Sequence, residues 1–200
     1  FYYHDLMTMA EISKILRKCD ENEFLDQAER VKKLYNKSLL ITDNGAYYTD
    51  YQSGKVTQTN QSIPLCFGLV PIEHIKDVQN TLVKLCDSNH IECGEIGLTY
   101  ILRSLSAAGR NDIIYDMILK DTHPSYLRFV EMGETTLPEF WRDDARSRNH
   151  DMMGHIMEWF FIEVAGIKGE NGFKTVNVKP HCTDFIDKFE CVFNSIRYYE

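Results

Sequence analysis

The sequence predicts a mainly α-helical fold in which helical hairpins are followed by the beginning of a β segment. Apolar residues recur at helical spacing through most of the 200-residue chain. Glycine and proline mark the ends of several of these segments, as they do at helix termini. After Gly172 the apolar period changes to two residues, which is typical of strands. The chain has no exact internal repeat, which favours a helical toroid over a repeat solenoid.

The N-terminal part is predicted to form an antiparallel helical hairpin. Helical spacing of apolar residues predicts a first helix over 2–18. Asp20, with Glu23 three residues later, resembles a capping box and predicts the start of a second helix. A few residues join the two helices, so they should pack side by side. The turn signals in 41–56 predict a long loop, which has room for a short strand pair.

Five further helices and two strands are predicted after this loop. Gly68, Pro71 and Gly109 stand at helix boundaries, where their backbone preferences place them. The last helix should turn Met153, Ile156, Met157, Phe160 and Val164 inward. The helices are predicted at 57–68, from Pro71 through Leu85, at 95–108, 111–120 and 149–165, the strands at 173–179 and 185–193, and a long loop at 121–148.

Composition limits the classes of partner. The formal net charge is −8 and no block of lysine or arginine occurs, which argues against a nucleic acid or an acidic membrane. No apolar run is long enough for a membrane-spanning helix. The six cysteines form no Cys-x-x-Cys pair, so we expect buried free thiols rather than a zinc site or a disulfide framework. A neutral small molecule or a sugar fits this composition better.

The segment 133–167 carries the residues best suited to chemistry. Glu134 and Glu139 lie in the predicted loop, Trp141 follows them, and His150 opens the next helix. Sugar hydrolysis uses carboxylates as acid and base, and aromatic rings pack against the C–H faces of sugars. A solvated charged loop with one tryptophan gives the same pattern, so the residue types alone leave both interpretations open.

The same helix carries residue types that bind metals. Asp151, His155 and Glu158 recur on one helix face and could ligate a metal, although an exposed face with local ion pairs is favoured. His150 and His155 are too far apart around a helix to converge on one ion. We therefore expect no metal ligand and no cofactor.

The segment carries a recognisable order of residues, namely Gly133, Thr135, Thr136, Glu139, Trp141, Ser147, Asn149, His150, Glu158, Trp159 and Ala165-Gly166-Ile167. This order resembles the signature of the bacterial α-L-rhamnosidases, glycoside hydrolase family seventy-eight. Stretches 57–71, 100–118, 123–126 and 172–181 also resemble segments of that family, so the resemblance covers nearly the whole chain.

The resemblance implies an (α/α)₆ toroid and inverting hydrolysis of terminal α-L-rhamnosyl residues from oligosaccharides, polysaccharides or glycosides. Residues 1–168 would form the second half of the toroid, and residues 169–200 would begin a C-terminal β domain. Glu139 matches the general base. His150 matches a histidine that contacts substrate, Tyr126 matches an aromatic residue of the sugar pocket, and Trp141 is expected beside them.

The chain departs from the family pattern in three places. Pro138 stands where many members have tryptophan, and Tyr126 replaces another tryptophan, so the sugar and its linkage are open. Nothing in the chain matches the acidic cluster that supplies the general acid. We therefore expect the C-terminal part of a larger enzyme, inactive by itself and able to form a homo-oligomer through its uncovered helices. The compartment is not readable, although a periplasmic or secreted location is favoured over a cytoplasmic one.

Two other functions remain open at this stage. One is a different toroid enzyme that acts on sugars, such as an unsaturated-glucuronyl hydrolase or a polysaccharide lyase. The other is a non-catalytic helical scaffold or a carbohydrate-binding protein, which the unmatched general acid supports. The expected partner is a carbohydrate that contains L-rhamnose, and not a nucleic acid or a membrane.

Overall fold

The computed structural model describes residues 1–181, 186 and 188–193. Within this part, short 3₁₀ helices lie at Ile72–His74 and Asp151–Gly154, and a π-helical segment lies at Phe160–Val164. The α-helices are α1 (Tyr2–Ile15), α2 (Glu21–Leu39), α3 (Gln58–Phe67), α4 (Ile75–Cys86), α5 (Glu95–Ala107), α6 (Asn111–Ile118), α7 (Tyr126–Glu131) and α8 (His155–Trp159). The strands are β1 (Leu40–Ile41), β2 (Tyr47–Tyr48), β3 (Ile167–Glu170) and β4 (Thr175–Val178), paired antiparallel as β1–β2 and β3–β4.

Helix α5 is the centre of the packing. The helices pair as α1–α2, α3–α4 and α5–α6, and α5 also packs against α3 and α8. Its buried side chains include Leu98, Ile101 and Leu105, which contribute to one core with residues of α4, α6 and α8. Each such fully buried side chain contributes about 1.5–3 kcal/mol of hydrophobic free energy. The predicted architecture of helical hairpins is therefore confirmed.

Two buried glutamines of α3 hold the adjacent loops in place. The Gln61 side chain accepts from the Tyr48 N–H at 2.8 Å and donates to the Tyr48 carbonyl at 2.8 Å, which completes the edge of β2. The Gln58 amide donates to the carbonyl of His90 at 2.9 Å and accepts from the Glu92 N–H at 2.9 Å. Buried backbone groups need such partners. Gln58 thereby fixes the loop that leads into α5.

The predicted loop over 121–148 is wrong in its first part, which contains helix α7 at Tyr126–Glu131. A six-residue helix is too short to show a helical period in the sequence. Helix α7 starts after Ser125, whose buried hydroxyl donates to the Ile118 carbonyl at 2.8 Å.

The predicted short strand pair after the first hairpin is confirmed by β1 and β2.

The predicted helix over 149–165 is divided into three helical types, and this changes which side chains face inward. Met153, Ile156 and Val164 are buried as predicted, and Phe160 is half-buried. Met157 is exposed, which corrects the prediction. Trp159 is buried instead, and its indole N–H donates to Asn111 Oδ1 at 2.9 Å. Because 3₁₀ and π turns advance by different angles from an α turn, a single period of 3.6 misplaces the inward face.

The C-terminal strands also differ from the prediction. Strand β4 lies within the predicted strand 173–179, whereas its partner β3 was missed. Of the predicted strand 185–193, residues 186 and 188–193 form no strand, and Phe185 and Asp187 lie outside the described residues. Gly166, at φ 67°, allows this hairpin to form, because a Cβ there would lie 1.8 Å from the Lys179 carbonyl oxygen.

The cysteines follow the expectation in part. Cys86 is buried and Cys93 is half-buried, and burial raises the pKa of both thiols to about 12. Cys19 and Cys66 are exposed, contrary to the expectation, and Cys182 lies outside the described residues.

Among the described helices, none has both the length and the apolar character that crossing a membrane requires.

The close approach of α3 and α5 gives the first prediction. A Cβ on Gly97 would lie 2.6 Å from Thr59 Oγ1 and 2.9 Å from Cys93 Cβ. We expect Gly97→Ala to lower the free energy of unfolding by about 1–3 kcal/mol through overpacking, as measured by urea denaturation. Gly154→Ala is the control, because its Cβ would meet only Leu137 at 3.8 Å. Equal stability of the two variants would contradict the packing described here.

Candidate functional site

The candidate site lies where the segment between α7 and the Asp151–Gly154 helix, residues 133–150, meets the start of α5. We call this segment the base loop, because it carries Glu139, the residue predicted to be the general base. Two backbone hydrogen bonds close it: the Glu139 N–H donates to the Ser147 carbonyl at 3.1 Å, and the His150 N–H donates to the Leu137 carbonyl at 2.7 Å. Glu139 is half-buried and lies in this loop rather than in a helix. Its backbone is thereby held beside the segment that carries His150.

Trp141 anchors the base loop to both α5 and α7. Its indole N–H donates to the Cys93 carbonyl at 2.8 Å, close to the start of α5. Its ring stacks on Phe129, with centroids 5.5 Å apart, and meets the edge of Tyr126 at 5.1 Å. Such aromatic contacts add about 0.5–1.5 kcal/mol each to the burial of the rings. Trp141 therefore has a structural role in addition to any contact with a ligand.

Tyr126 joins α7 to the short helix that precedes α8. Its hydroxyl donates to the Met153 carbonyl at 2.5 Å. Burial of the side chain, with a smaller contribution from Cys93, raises the pKa of the Tyr126 phenol far above its ordinary value. The phenol stays protonated and serves as a hydrogen-bond donor to the backbone.

Both ring nitrogens of His150 lie close to polar side chains. Nε2 lies 2.9 Å from Glu95 Oε2, and Nδ1 lies 3.3 Å from Ser147 Oγ. Glu95 is the first residue of α5, so this contact adds a second connection between the base loop and that helix. Sequence reasoning missed Glu95, because it is remote from the base loop in sequence and no local pattern connects the two.

Asp143 forms the charged attachment of the base loop. Its carboxylate lies 2.9 Å from Arg128 Nη2 and 3.0 Å from His123 Nε2, and its carbonyl accepts from Arg148 Nη2 at 3.1 Å. The hydrogen bond from Arg128 lowers the pKa of Asp143 below its usual range, so this carboxylate stays ionised. Burial lowers the pKa of His123, an effect partly opposed by Asp143.

Glu134, the other candidate carboxylate of the segment, is paired with Arg148. Arg142 pairs with Asp144 at 2.9 Å on the exposed side of the loop and lies over the ring of Phe140. Of the two glutamates, only Glu139 lies outside the ion pairs described for the base loop, and it is the better placed to accept a proton.

The structure brings together the four residues predicted from the sequence. Glu139, Trp141 and His150 share the base loop, and Tyr126 contacts Trp141 from α7. The Tyr126 hydroxyl and the Trp141 indole N–H both donate to backbone carbonyls. In the described part of the chain, no group of three or more His, Cys, Asp or Glu side chains could hold a metal ion. Glu158, a candidate metal ligand in the sequence, accepts hydrogen bonds from Arg103 Nη2 at both carboxylate oxygens, at 2.8 and 2.9 Å.

Comparison with known proteins identifies the family. The model for the bacterial alpha-L-rhamnosidase 6 hairpin glycosidase domain matches residues 1–164. The chain belongs to the bacterial α-L-rhamnosidase family. Its helical hairpins are accordingly part of a six-hairpin glycosidase toroid, as the resemblance read from the sequence implied.

Relatives within this family are much longer than the chain. An alpha-L-rhamnosidase of Alteromonas sp. (strain LOR) is 32% identical over 143 residues, which cover 65% of this chain and 16% of that protein. The structure of alpha-L-rhamnosidase from Dictyoglumus thermophilum matches with a TM-score of 0.79 and 30% identity, over 90% of this chain and 21% of that one. The Streptomyces avermitilis alpha-L-rhamnosidase complexed with L-rhamnose matches with a TM-score of 0.77 and 25% identity, over 90% and 18% respectively.

The charged attachment through Asp143 gives the second prediction. We expect Asp143→Asn to speed hydrogen–deuterium exchange in residues 137–150, because the amide cannot replace the ion pair with Arg128. Since the pKa of Asp143 is lowered, this stabilisation is complete above the ordinary aspartate pKa of about 3.9 and is lost only as the pH falls further. The difference in exchange between wild type and variant should close only below that pH.

Asp144→Asn is the matched control for this experiment, because Asp144 pairs with Arg142 alone on the exposed side of the same loop. Its exchange should equal that of the wild type. Equal protection of the loop in the Asp143 and Asp144 variants would show that Asp143 does not attach the loop.

Proposed function

We propose that this chain supplies the general-base part of the active site of an inverting α-L-rhamnosidase, which removes terminal α-L-rhamnosyl residues from oligosaccharides, polysaccharides or glycosides. The observation that carries the proposal is that the half-buried Glu139 lies on a loop closed by two backbone hydrogen bonds. Membership of the family supports it, as does the Streptomyces relative that was solved with L-rhamnose.

Glu139 is proposed to take a proton from the water that attacks the anomeric carbon. In an inverting site the acid and base carboxyl groups lie about 6.5–9.5 Å apart, which leaves room for that water. No carboxylate of this chain matches the family's general acid, and the chain spans only 16–22% of the length of the relatives it matches. We therefore assign the acid to another part of such an enzyme and expect the 200-residue chain to be inactive alone.

The sugar-binding role is proposed for His150, Tyr126 and Trp141. The two aromatic rings offer apolar surface for the C–H face of a pyranose. Pro138 is buried and directly precedes Glu139. It would therefore affect specificity by setting the backbone path of the loop, and not by contacting the sugar. We propose residues 1–168 as the toroid part and residues 169–200 as the beginning of a β domain.

A non-catalytic carbohydrate-binding role is the second candidate, and the unmatched general acid is the observation that favours it. In that case the aromatic residues would bind sugar while Glu139 would have no proton to take. Loss of a general base lowers kcat, whereas loss of a residue that only binds the sugar raises KM. Substitution of Glu139 therefore separates the two functions.

The third prediction concerns Glu139 in the protein that carries this chain, expressed at full length. Glu139→Gln keeps the shape of the side chain but cannot accept a proton. We expect kcat for an aryl α-L-rhamnoside to fall by roughly 10²–10⁴-fold with little change in KM. Steady-state kinetics measure both quantities.

Glu131→Gln is the control, since it removes an exposed carboxylate from the end of α7, just before the base loop. It should leave kcat unchanged. If Glu139→Gln retains near-full turnover, Glu139 is not the base, and the binding role is then the better account.

The fourth prediction concerns self-association of the isolated chain. The α1–α2 hairpin leaves apolar side chains uncovered, and a cleft of about 630 Å³ runs between these helices. Exposed apolar surfaces of this kind drive association. We propose that the isolated chain forms a homo-oligomer through this face. The exposed residues are Met7, Met9, Ile12, Ile15, Leu16, Leu25 and Leu34.

Light scattering tests this proposal directly. Ile15→Glu should shift the isolated chain towards monomer, because Ile15 is 71% exposed within the apolar face. Ile72→Glu introduces the same charge at an exposed isoleucine outside that face and should have no effect. A monodisperse wild-type monomer at high concentration would overturn the proposal.

A further inference from the structure

Glu95 stands out among the carboxylates because its oxygen faces the base loop rather than solvent. It is the first residue of α5, directly after Gly94 at the N-cap position. Oε2 is screened from solvent and receives no well-aligned hydrogen bond from any described residue, although His150 Nε2 lies 2.9 Å away. A buried carboxylate oxygen without a donor is costly, so this arrangement needs an explanation.

The other side of the His150 ring faces a hydroxyl. Nδ1 lies 3.3 Å from Ser147 Oγ, which is long for such a contact. The Ser147 carbonyl accepts from the Glu139 N–H at 3.1 Å. A continuous series of contacts therefore runs from Glu95 through His150 and Ser147 to the backbone of Glu139.

A neutral imidazole donates from one nitrogen and accepts at the other. A carboxylate is an acceptor only, so Glu95 requires the proton of His150 to be on Nε2. Nδ1 then carries the lone pair and can accept a hydrogen bond from a hydroxyl. Ser147 Oγ occupies that position loosely, and a sugar hydroxyl has the same chemistry.

We propose that Glu95 is a positioning residue, which fixes the tautomer and orientation of His150 so that Nδ1 accepts a hydrogen bond from a hydroxyl of the bound sugar. This inference rests on the proposed function, because it assigns His150 to the sugar site. The alignment of Nε2–H with Oε2 should tighten when substrate is bound, as hydrogen bonds of active sites often do. Glu95 itself touches His150 and not the reacting atoms.

The first test reads the tautomer of His150 and needs no activity. Long-range ¹H–¹⁵N spectra of the histidine-labelled chain are recorded at about pH 8, above the ordinary histidine pKa of about 6.5. The chain has seven histidines. The His150 signals are assigned as those that disappear from the spectrum of the His150→Gln variant. We expect a single Nε2–H tautomer in the wild type. Glu95→Gln should abolish this preference, because a carboxamide can donate as well as accept.

Glu92→Gln is the matched control for charge. Glu92 lies three residues before Glu95, its side chain is exposed, and its backbone N–H donates to Gln58 Oε1. Its spectrum should match the wild type. If His150 carries its proton on Nδ1 in the wild type, or if Glu95→Gln leaves the ring spectrum unchanged, the proposal is overturned.

The second test is a double-mutant cycle in the full-length protein. Glu95→Gln should raise KM for an aryl α-L-rhamnoside by about tenfold, with a smaller change in kcat. In a His150→Ala background the same substitution should change KM by less than about twofold, because Glu95 acts through His150. If Glu95→Gln raises KM by the same factor in the wild-type and His150→Ala backgrounds, the positioning role is overturned. If the wild-type protein does not hydrolyse the rhamnoside, the proposed function fails, whereas the tautomer measurement still decides whether Glu95 orients His150.

Discussion

The hydrogen bond from the Trp141 indole to the Cys93 carbonyl is the contact on which the site depends. It joins a loop without regular secondary structure to the segment just before α5, whose buried side chains contribute to the central core. The stacking of Trp141 on Phe129 holds the same loop against α7. Glu139 lies two residues from this anchor, so the backbone of Glu139 is held near the start of α5.

The core provides the support for that anchor. Gln58 fixes the loop that precedes α5, and the close approach of Gly97 to Thr59 brings α5 against α3. Asp143 and Glu95 then attach the base loop at two further points through charged or polar contacts. A half-buried carboxylate can work as a base only where its surroundings are fixed, since catalytic groups need a defined geometry. The fold therefore meets a requirement of the proposed chemistry with side chains remote from Glu139 in sequence.

The sequence predicted the parts of this arrangement that depend on local patterns. Helical spacing located most of the long helices, and the order of residues around Glu139 was enough to point to the family. Local patterns did not predict α7, which is too short to show a period, or β3, which pairs only with a strand further along the chain. Met157 was expected to face inward because a uniform α-helix was assumed where the helix changes type. Glu95 was missed because its contact with His150 is set by tertiary packing, for which a single sequence gives no signal.

The central claim is that this chain carries the base of an inverting α-L-rhamnosidase, and the stereochemistry of the product tests it most directly. Proton NMR can follow the hydrolysis of an aryl α-L-rhamnoside by the full-length protein from the first turnovers, before the released sugar equilibrates between its anomers. We expect β-L-rhamnose to appear first, because water activated by Glu139 attacks the face opposite the leaving group. Initial release of α-L-rhamnose would show a covalent intermediate with retention of configuration, and would contradict the assignment of Glu139 as a general base.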